Sequence, residues 1–245
     1  MSAPTVLVVE HATDCPPALL GQWLSAEGCA LDVCRPYAGD DLPDPAAYDA
    51  LLVLGGPMGA LDDEQAPWLP RVRERVREAV RDGTPTLGVC LGHQLVAVAL
   101  GGTVARNPAG QQLGLLELGW TEAAADDELL GPLAGPRRGV QWNDDVVTTL
   151  PAGATLLAAT PQGEVQAVRF APRVWGVQLH PEVDRSVLDP WAASDRGSHE
   201  AQGIDQEALL RSVDEARAEL DAAWRPLAAS FAARARAAAG SRARR

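Results

Sequence analysis

Apolar positions along this chain fall into short bursts. Their period switches between about 2 residues, as in strands, and about 3.6, as in helices. Residues 5–10 (TVLVVE) are a β-branched apolar run, the pattern of a strand buried on both faces. The next segment, PPALLGQWLSAEG, spaces Leu19, Leu20, Trp23 and Leu24 for one helical face and then stops at glycine. ALDVCRPY and YDALLVLGG predict a second and a third strand. PWLPRVRERVREAVRDG sets Leu69, Val72, Val76 and Val80 on one side of a helix, with Gly83 as its stop. PTLGVC then predicts a fourth strand and LGHQLVAVALGG a helix after it.

That alternation predicts an α/β fold: a doubly wound, mostly parallel sheet flanked by helices. The stretch from Val140 to Glu182 changes character. Its short alternating runs, split by Pro and Gly, predict a small antiparallel β section. After Glu182 a polar stretch rich in Asp, Ser and Gly predicts a connection. Residues 204–239 then read as a helical C-terminal extension, with Pro226 marking a kink or a break. The expected organisation is one main unit over residues 1–190, with a helical extension over residues 191–245 packed on the same domain. In an open α/β sheet the ligand site lies at the carboxyl ends of the strands, where both Gly55-Gly56-Pro57 and Cys90 fall.

Composition narrows the chemistry. The formal charge is −12, which disfavours a nucleic-acid surface. Only the C-terminus is locally basic, with Arg234, Arg236, Arg242, Arg244 and Arg245, and a frayed, solvated end is the expectation there. All 21 basic residues are Arg, so lysine-dependent nucleotide loops and Schiff-base chemistry are excluded. Cys15, Cys29, Cys34 and Cys90 form neither a CxxC pair nor a Cys/His metal spacing, and neither a metal nor a cofactor is expected. The N-terminus has no basic region ahead of its first strand and no apolar run reaches about 18 residues, so no membrane association and a cytoplasmic location are expected.

Gly88-Val89-Cys90-Leu91-Gly92 fits a strand-to-helix elbow that presents a nucleophile. Glycines two residues away on each side relieve crowding at such a turn, and the helix N-terminus behind it favours negative charge on the sulfur. The alternative is a small buried thiol beneath a helix. A thiolate attacking a carbonyl needs a proton donor for the leaving group. Of His11, His93, His180 and His199, His93 sits on the helix pointing away from the elbow, and nothing in the sequence around His11 orients an imidazole. His180 ends an apolar strand and precedes Glu182 by two residues, so in extended backbone the carboxylate reaches the ring. The elbow supplies the Leu91 N–H as one oxyanion donor. Gly56, at a neighbouring strand end, is placed to supply a second.

Together, LVLGGPMGA, LGVCLGHQLVA and VWGVQLHPEV resemble the class I, triad-type glutamine amidotransferase family over about residues 5–185, and most of all stand-alone proteins similar to the glutaminase domain of GMP synthase. The resemblance implies Cys90 as nucleophile, His180 as general base and acid, Glu182 as its orienting partner, and Gly56 and Leu91 as oxyanion donors. It implies a γ-glutamyl substrate contacted by Gln94 and by the loop at Asn143, Asp144 and Asp145. Two departures stand out: relatives often read Trp-His-Gly-Asp where this chain has Trp142-Asn143-Asp144-Asp145, and Gln112 replaces a frequent glutamate.

The expected reaction is hydrolysis of a γ-glutamyl amide, glutamine to glutamate plus ammonia, with a separate synthase subunit as the expected partner. An independent γ-glutamyl amine or peptide hydrolase would use the same residues. A catalytically silent binding or regulatory module on the same fold is the third reading.

Overall fold

The computed structural model describes residues 3–135 and 137–242. The first half alternates strand and helix except where β3 follows β2: β1 (Thr5–Val9), α1 (Ala18–Ala26), β2 (Ala30–Cys34), β3 (Ala50–Val53), α2 (Leu69–Asp82), β4 (Thr86–Val89) and α3 (Leu91–Ala99). β5 (Thr103–Arg106) through β11 (Val174–Val177) follow, by way of β6 (Gln112–Trp120), β7 (Arg137–Asn143), β8 (Asp145–Thr149), β9 (Thr155–Ala159) and β10 (Val165–Ala171). The C-terminal helices are α4 (Arg185–Gln202), α5 (Gln206–Glu215) and α6 (Arg217–Arg242).

Among the described residues the main sheet has nine strands in the order β2-β1-β3-β4-β11-β10-β9-β6-β7, and β5 pairs with β8 apart from it. The first five strands in that order are parallel, and the last four continue antiparallel. β3, β4 and β11 are buried along their whole length, which is why they carry no polar alternation. Alternate residues of β1 serve two layers. Val6 and Val8 join Leu20, Leu24, Trp224 and Phe231 in one core, while Leu7 and Val9 join Val72, Val76, Leu91 and Leu95 in the other. α1 and α6 thus cover one face, and α2 and α3 the other.

The C-terminal part departs from the sequence expectation in three places. The polar stretch after Glu182 is a helix, α4. The Asp184 carboxylate caps it by accepting from the Ser186 N–H (2.9 Å), and Val187, Leu188, Trp191 and Ala192 give it a buried face. α4 runs unbroken across residue 190, where the composition changes. Pro226 lies inside α6, and the helical run is interrupted at Ala216 instead. Losing one backbone bond at Pro226 costs about 3 kcal/mol. The buried face of Leu220, Trp224, Leu227 and Phe231 outweighs that, at roughly 1.5–3 kcal/mol per large side chain. Finally, the basic end is not a free solvated tail. Arg234 pairs with Glu128 (3.0 Å), Arg236 donates to the Glu27 carbonyl (2.8 Å), and Arg242 reaches the Asp49 carboxylate (2.7 Å) and the Ala46 and Tyr48 carbonyls. Arg244 and Arg245 lie outside the described residues.

Candidate active site

Strand register assembles the site. β3 pairs with β4 so that Val53 is opposite Gly88, and β4 pairs with β11 so that Val89 is opposite Val177. Continuing each strand by one or two residues brings Gly55, Cys90 and Gln178 abreast at the carboxyl edge of the sheet.

Cys90 is the residue before α3, at φ 51° and ψ −109°, a conformation that L residues rarely adopt. Its N–H donates to the Val177 carbonyl (2.9 Å), which locks the elbow to β11. The flanking glycines are required by close approach. A Cβ on Gly88 would lie 2.5 Å from the Gly92 carbonyl, and one on Gly92 would overlap the Val53 carbonyl. Only 6 % of Cys90 is exposed, yet its side chain lines a cavity of about 360 Å³. The thiol is therefore both well buried and open to a small molecule.

His180 arrives from the segment after β11, its N–H held by the Val140 carbonyl (2.8 Å). Its Nδ1 donates to Glu182 Oε1 at 2.7 Å, so the i, i+2 relation works as the sequence implies. Trp191 of α4 packs edge-on against the imidazole at 4.8 Å between ring centres and fixes its plane. His180 Cε1 and Cys90 Cβ flank the same spot, 3.2 and 3.6 Å from where a Cβ on Gly55 would stand. Nε2 of His180 is buried and has no hydrogen-bond partner among the described residues. Nucleophile–base hydrogen bonds are often loosely aligned without substrate and tighten when it is bound. Burial works against the imidazolium. The facing Cys90 and Glu182 more than offset it and raise the pKa to about 10, so His180 is the proton-bearing partner at neutral pH.

Leu91 occupies the first position of α3, where an N–H has no intrahelical acceptor. Gly56 lies against it: a Cβ there would be 2.9 Å from Leu91 Cδ2 and 2.8 Å from His11 Cβ. Both residues line the cavity, and the Gly56 N–H donates to no backbone carbonyl among the described residues. His11 differs from the sequence expectation, because something does orient it. The Trp68 indole N–H donates to its Nδ1 at 3.1 Å, and burial lowers its pKa to about 4 and keeps it neutral. His93 points away from the elbow into the core, tilted against Phe170.

Gln94, Asn143, Asp144 and Asp145 all line the cavity. Gln94 and Asn143 both donate to the Asp145 carbonyl, at 2.9 and 3.0 Å. The two departures from the family pattern are in contact with each other: Asn143 is paired with Gln112 across β6 and β7, and its amide donates to Gln112 Oε1 at 3.1 Å. Part of the negative charge of Asp144 is met by Arg106 (3.2 Å). The Asp145 carboxyl is raised above its usual range, first by burial and then by the Asp144 charge. Asp14, Asp62 and Asp195 also line the cavity, where among the described residues Arg106 and the protonated His180 are the cations. Among the described residues no group of three or more His, Cys, Asp or Glu is arranged to hold a metal ion, and no helix is long and apolar enough to cross a membrane.

Comparison with known proteins follows the same lines. The model of the glutamine amidotransferase class-I family matches residues 19–195. The chain belongs to the class I glutamine amidotransferase family. It is 34% identical over 200 residues to the glutamine-hydrolysing GMP synthase of Aeropyrum pernix, covering 78% of this chain but only 36% of that enzyme's length. It is 28% identical to gamma-glutamyl peptidase 3 of Arabidopsis thaliana, with 66% of each chain covered. The fold matches the crystal structure of a glutamine amidotransferase from Thermotoga maritima with a TM-score of 0.84, over 95% of this chain and 99% of that one, at 24% identity.

Sequence reasoning missed Gln178, Trp142 and Trp191. Gln178 was within reach: the alternation that pairs His180 with Glu182, carried one step back, puts Gln178 on the same side. Trp191 was hidden because the polar composition of α4 suggested no helix to present it.

Proposed function

We propose that this chain hydrolyses a γ-glutamyl amide through a covalent cysteine thioester, with glutamine as the first substrate to consider. The observation that carries this reading is one constellation in one cavity. Cys90 stands on a strained elbow, His180 is oriented by Glu182 at 2.7 Å, and Gly56 packs against Leu91 in the same cavity.

In this mechanism the Cys90 thiolate attacks the amide carbonyl carbon, and the resulting oxyanion is held by the Gly56 and Leu91 N–H groups. The C–N bond breaks as His180 Nε2 gives its proton to the departing nitrogen, leaving a thioester and releasing ammonia. Water then attacks the thioester carbon and gives a proton back to His180. The C–S bond breaks, the thiolate is restored, and the product carboxylic acid ionises. Glu182 keeps the ring in the right tautomer and stabilises the imidazolium throughout.

The GMP synthase relatives support a division of labour in which a separate synthase receives the ammonia. Assayed by ammonia release, glutamine hydrolysis should be slow for the chain alone and rise when a cognate synthase is added. Cys90→Ala should abolish it, a loss of at least about 10³-fold. Turnover surviving in Cys90→Ala would end this reading.

A second reading keeps the residues and changes the substrate: a γ-glutamyl amine or peptide hydrolase acting without a partner. The five carboxylates around the cavity, against Arg106 and the His180 imidazolium, favour a cationic group on the substrate. A panel of γ-glutamyl conjugates with cationic, neutral and anionic amines separates the two readings. Faster partner-free turnover of the cationic members than of glutamine would favour the second.

A further inference from the structure

We propose that Gln178 is a further catalytic residue: its side-chain amide N–H donates to the Cys90 sulfur, and a chain of buried amides keeps that donor, rather than the amide oxygen, turned toward it. The proposal deepens the reading of Cys90 as the nucleophile and rests on it.

The placement comes from the sheet. Val89 and Val177 are partners in the parallel ladder, so the next residues, Cys90 and Gln178, leave adjacent strands side by side. Gln178 is fully buried, and its Nε2 lies 3.6 Å from Cys90 Sγ.

An amide can turn either end toward a neighbour, so the polarity needs an anchor. Asp145 supplies one through its backbone carbonyl, which can only accept. Gln94 Nε2 donates to it at 2.9 Å and also to Gln178 Oε1 at 3.2 Å. With its oxygen taken by Gln94, Gln178 has only N–H to offer the sulfur. A second branch from the same carbonyl continues the network away from Gln178. Asn143 Nδ2 donates to the Asp145 carbonyl and to Gln112 Oε1, which also accepts from Gln166 Nε2 at 3.2 Å. Turning any one amide over would set two donors or two acceptors face to face in a buried site.

The thiolate accepts from Gln178 more strongly than the thiol does, because a charged acceptor strengthens the bond. Gln178 is uncharged, so this support holds across the pH range. The titratable groups facing the sulfur are His180 and Glu182 from the segment after β11, and Cys15 from the loop after β1. The Cys15 thiol is pushed far above its usual range by burial and then by Asp14, so it stays protonated. Gln178 is therefore the hydrogen-bond donor to the sulfur, and His180 faces it as the charged partner.

The test measures Cys90 alkylation by iodoacetamide across a pH series in the full-length protein, read by mass on the Cys90 peptide. Gln178→Met keeps length and shape without a donor, and Gln178→Glu keeps the shape and replaces the donor with a carboxyl group. In Gln178→Met the alkylation midpoint should rise by roughly one pH unit, about tenfold less thiolate at a fixed pH below both midpoints. It should rise further in Gln178→Glu. Urea unfolding identifies which variants are folded, and one folded variant is enough to decide. A midpoint unmoved in a folded variant overturns the proposal and leaves Gln178 as core filling. Alkylation needs no turnover: a Gln178-dependent midpoint in a protein that hydrolyses no γ-glutamyl compound sinks the proposed function alone. Hydrolysis with an unmoved midpoint sinks this proposal alone.

Discussion

Cys90 holds a backbone conformation that its side chain disfavours, φ 51° and ψ −109°, and no other feature of its turn demands a cysteine. Strain of this kind costs about 1–3 kcal/mol. Glycine would relieve it, less about 0.5–1 kcal/mol for the freer unfolded chain. Cys90→Gly should therefore be more stable than Cys90→Ala by about 1 kcal/mol in urea unfolding, while both are inactive. Equal stability of the two would mean that the elbow is not strained. The neighbouring glycines behave in the opposite way: a methyl group at Gly92 meets the Val53 carbonyl and one at Gly88 meets the Gly92 carbonyl, and neither backbone can retreat. The elbow was legible in the sequence because its glycines repeat at a fixed spacing around one cysteine. Gln178 was legible only in part: alternation with His180 and Glu182 gives its side, but a glutamine in an apolar run carries no mark of its neighbours until the strand register is known. The Trp68–His11 bond joins residues 57 apart in the chain and was hidden for the same reason.

Between elements, most of the parallel half of the sheet was legible because β1, β3 and β4 are short, largely apolar runs, each followed by a helix. α4 was not, since only four of its first eight residues are buried and its polar face dominates the composition. Nor were the contacts of the C-terminal arginines, which join α6 to backbone carbonyls and carboxylates that no local pattern marks. Pairing between β6 and β7 likewise turned two separate sequence departures into one interaction, with Gln112 directly opposite Asn143. That interaction supports a mutational test. Removing one buried amide takes from the other one of its two hydrogen bonds in a buried site, at about 1–3 kcal/mol. Removing both takes away the donor and the acceptor together. Gln112→Leu and Asn143→Leu should each destabilise by that amount, and the double variant by clearly less than their sum, a coupling of about 1 kcal/mol or more by urea unfolding. Strict additivity would show that the pair does not act as a unit.

For the molecule as a whole, three buried histidines set opposite limits on stability with pH. Burial lowers His11 to a pKa of about 4 and His93 to about 3, and the latter's Nδ1 lies against Gly176. Unfolded, each takes up a proton near pH 6.5. Their contribution to stability is therefore fully present above about 6.5 and is lost as the pH falls through about 4 and 3. His180 has the opposite sign. Burial disfavours its cation, but Cys90 and Glu182 raise its pKa to about 10, so its contribution is present below about 6.5 and is lost as the pH climbs to 10. Urea unfolding across a pH series should give a dome centred near neutrality, with separable limbs. His93→Leu should flatten the acid limb, because it leaves one histidine fewer to protonate on unfolding, and leave the alkaline limb in place. Cys90→Ala removes the sulfur that holds the His180 proton and should flatten the alkaline limb while sparing the acid one. An acid limb unchanged in His93→Leu would assign acid unfolding to the carboxylates of this strongly acidic chain. An alkaline limb unchanged in Cys90→Ala would mean that the proton on His180 does not depend on the thiolate it faces.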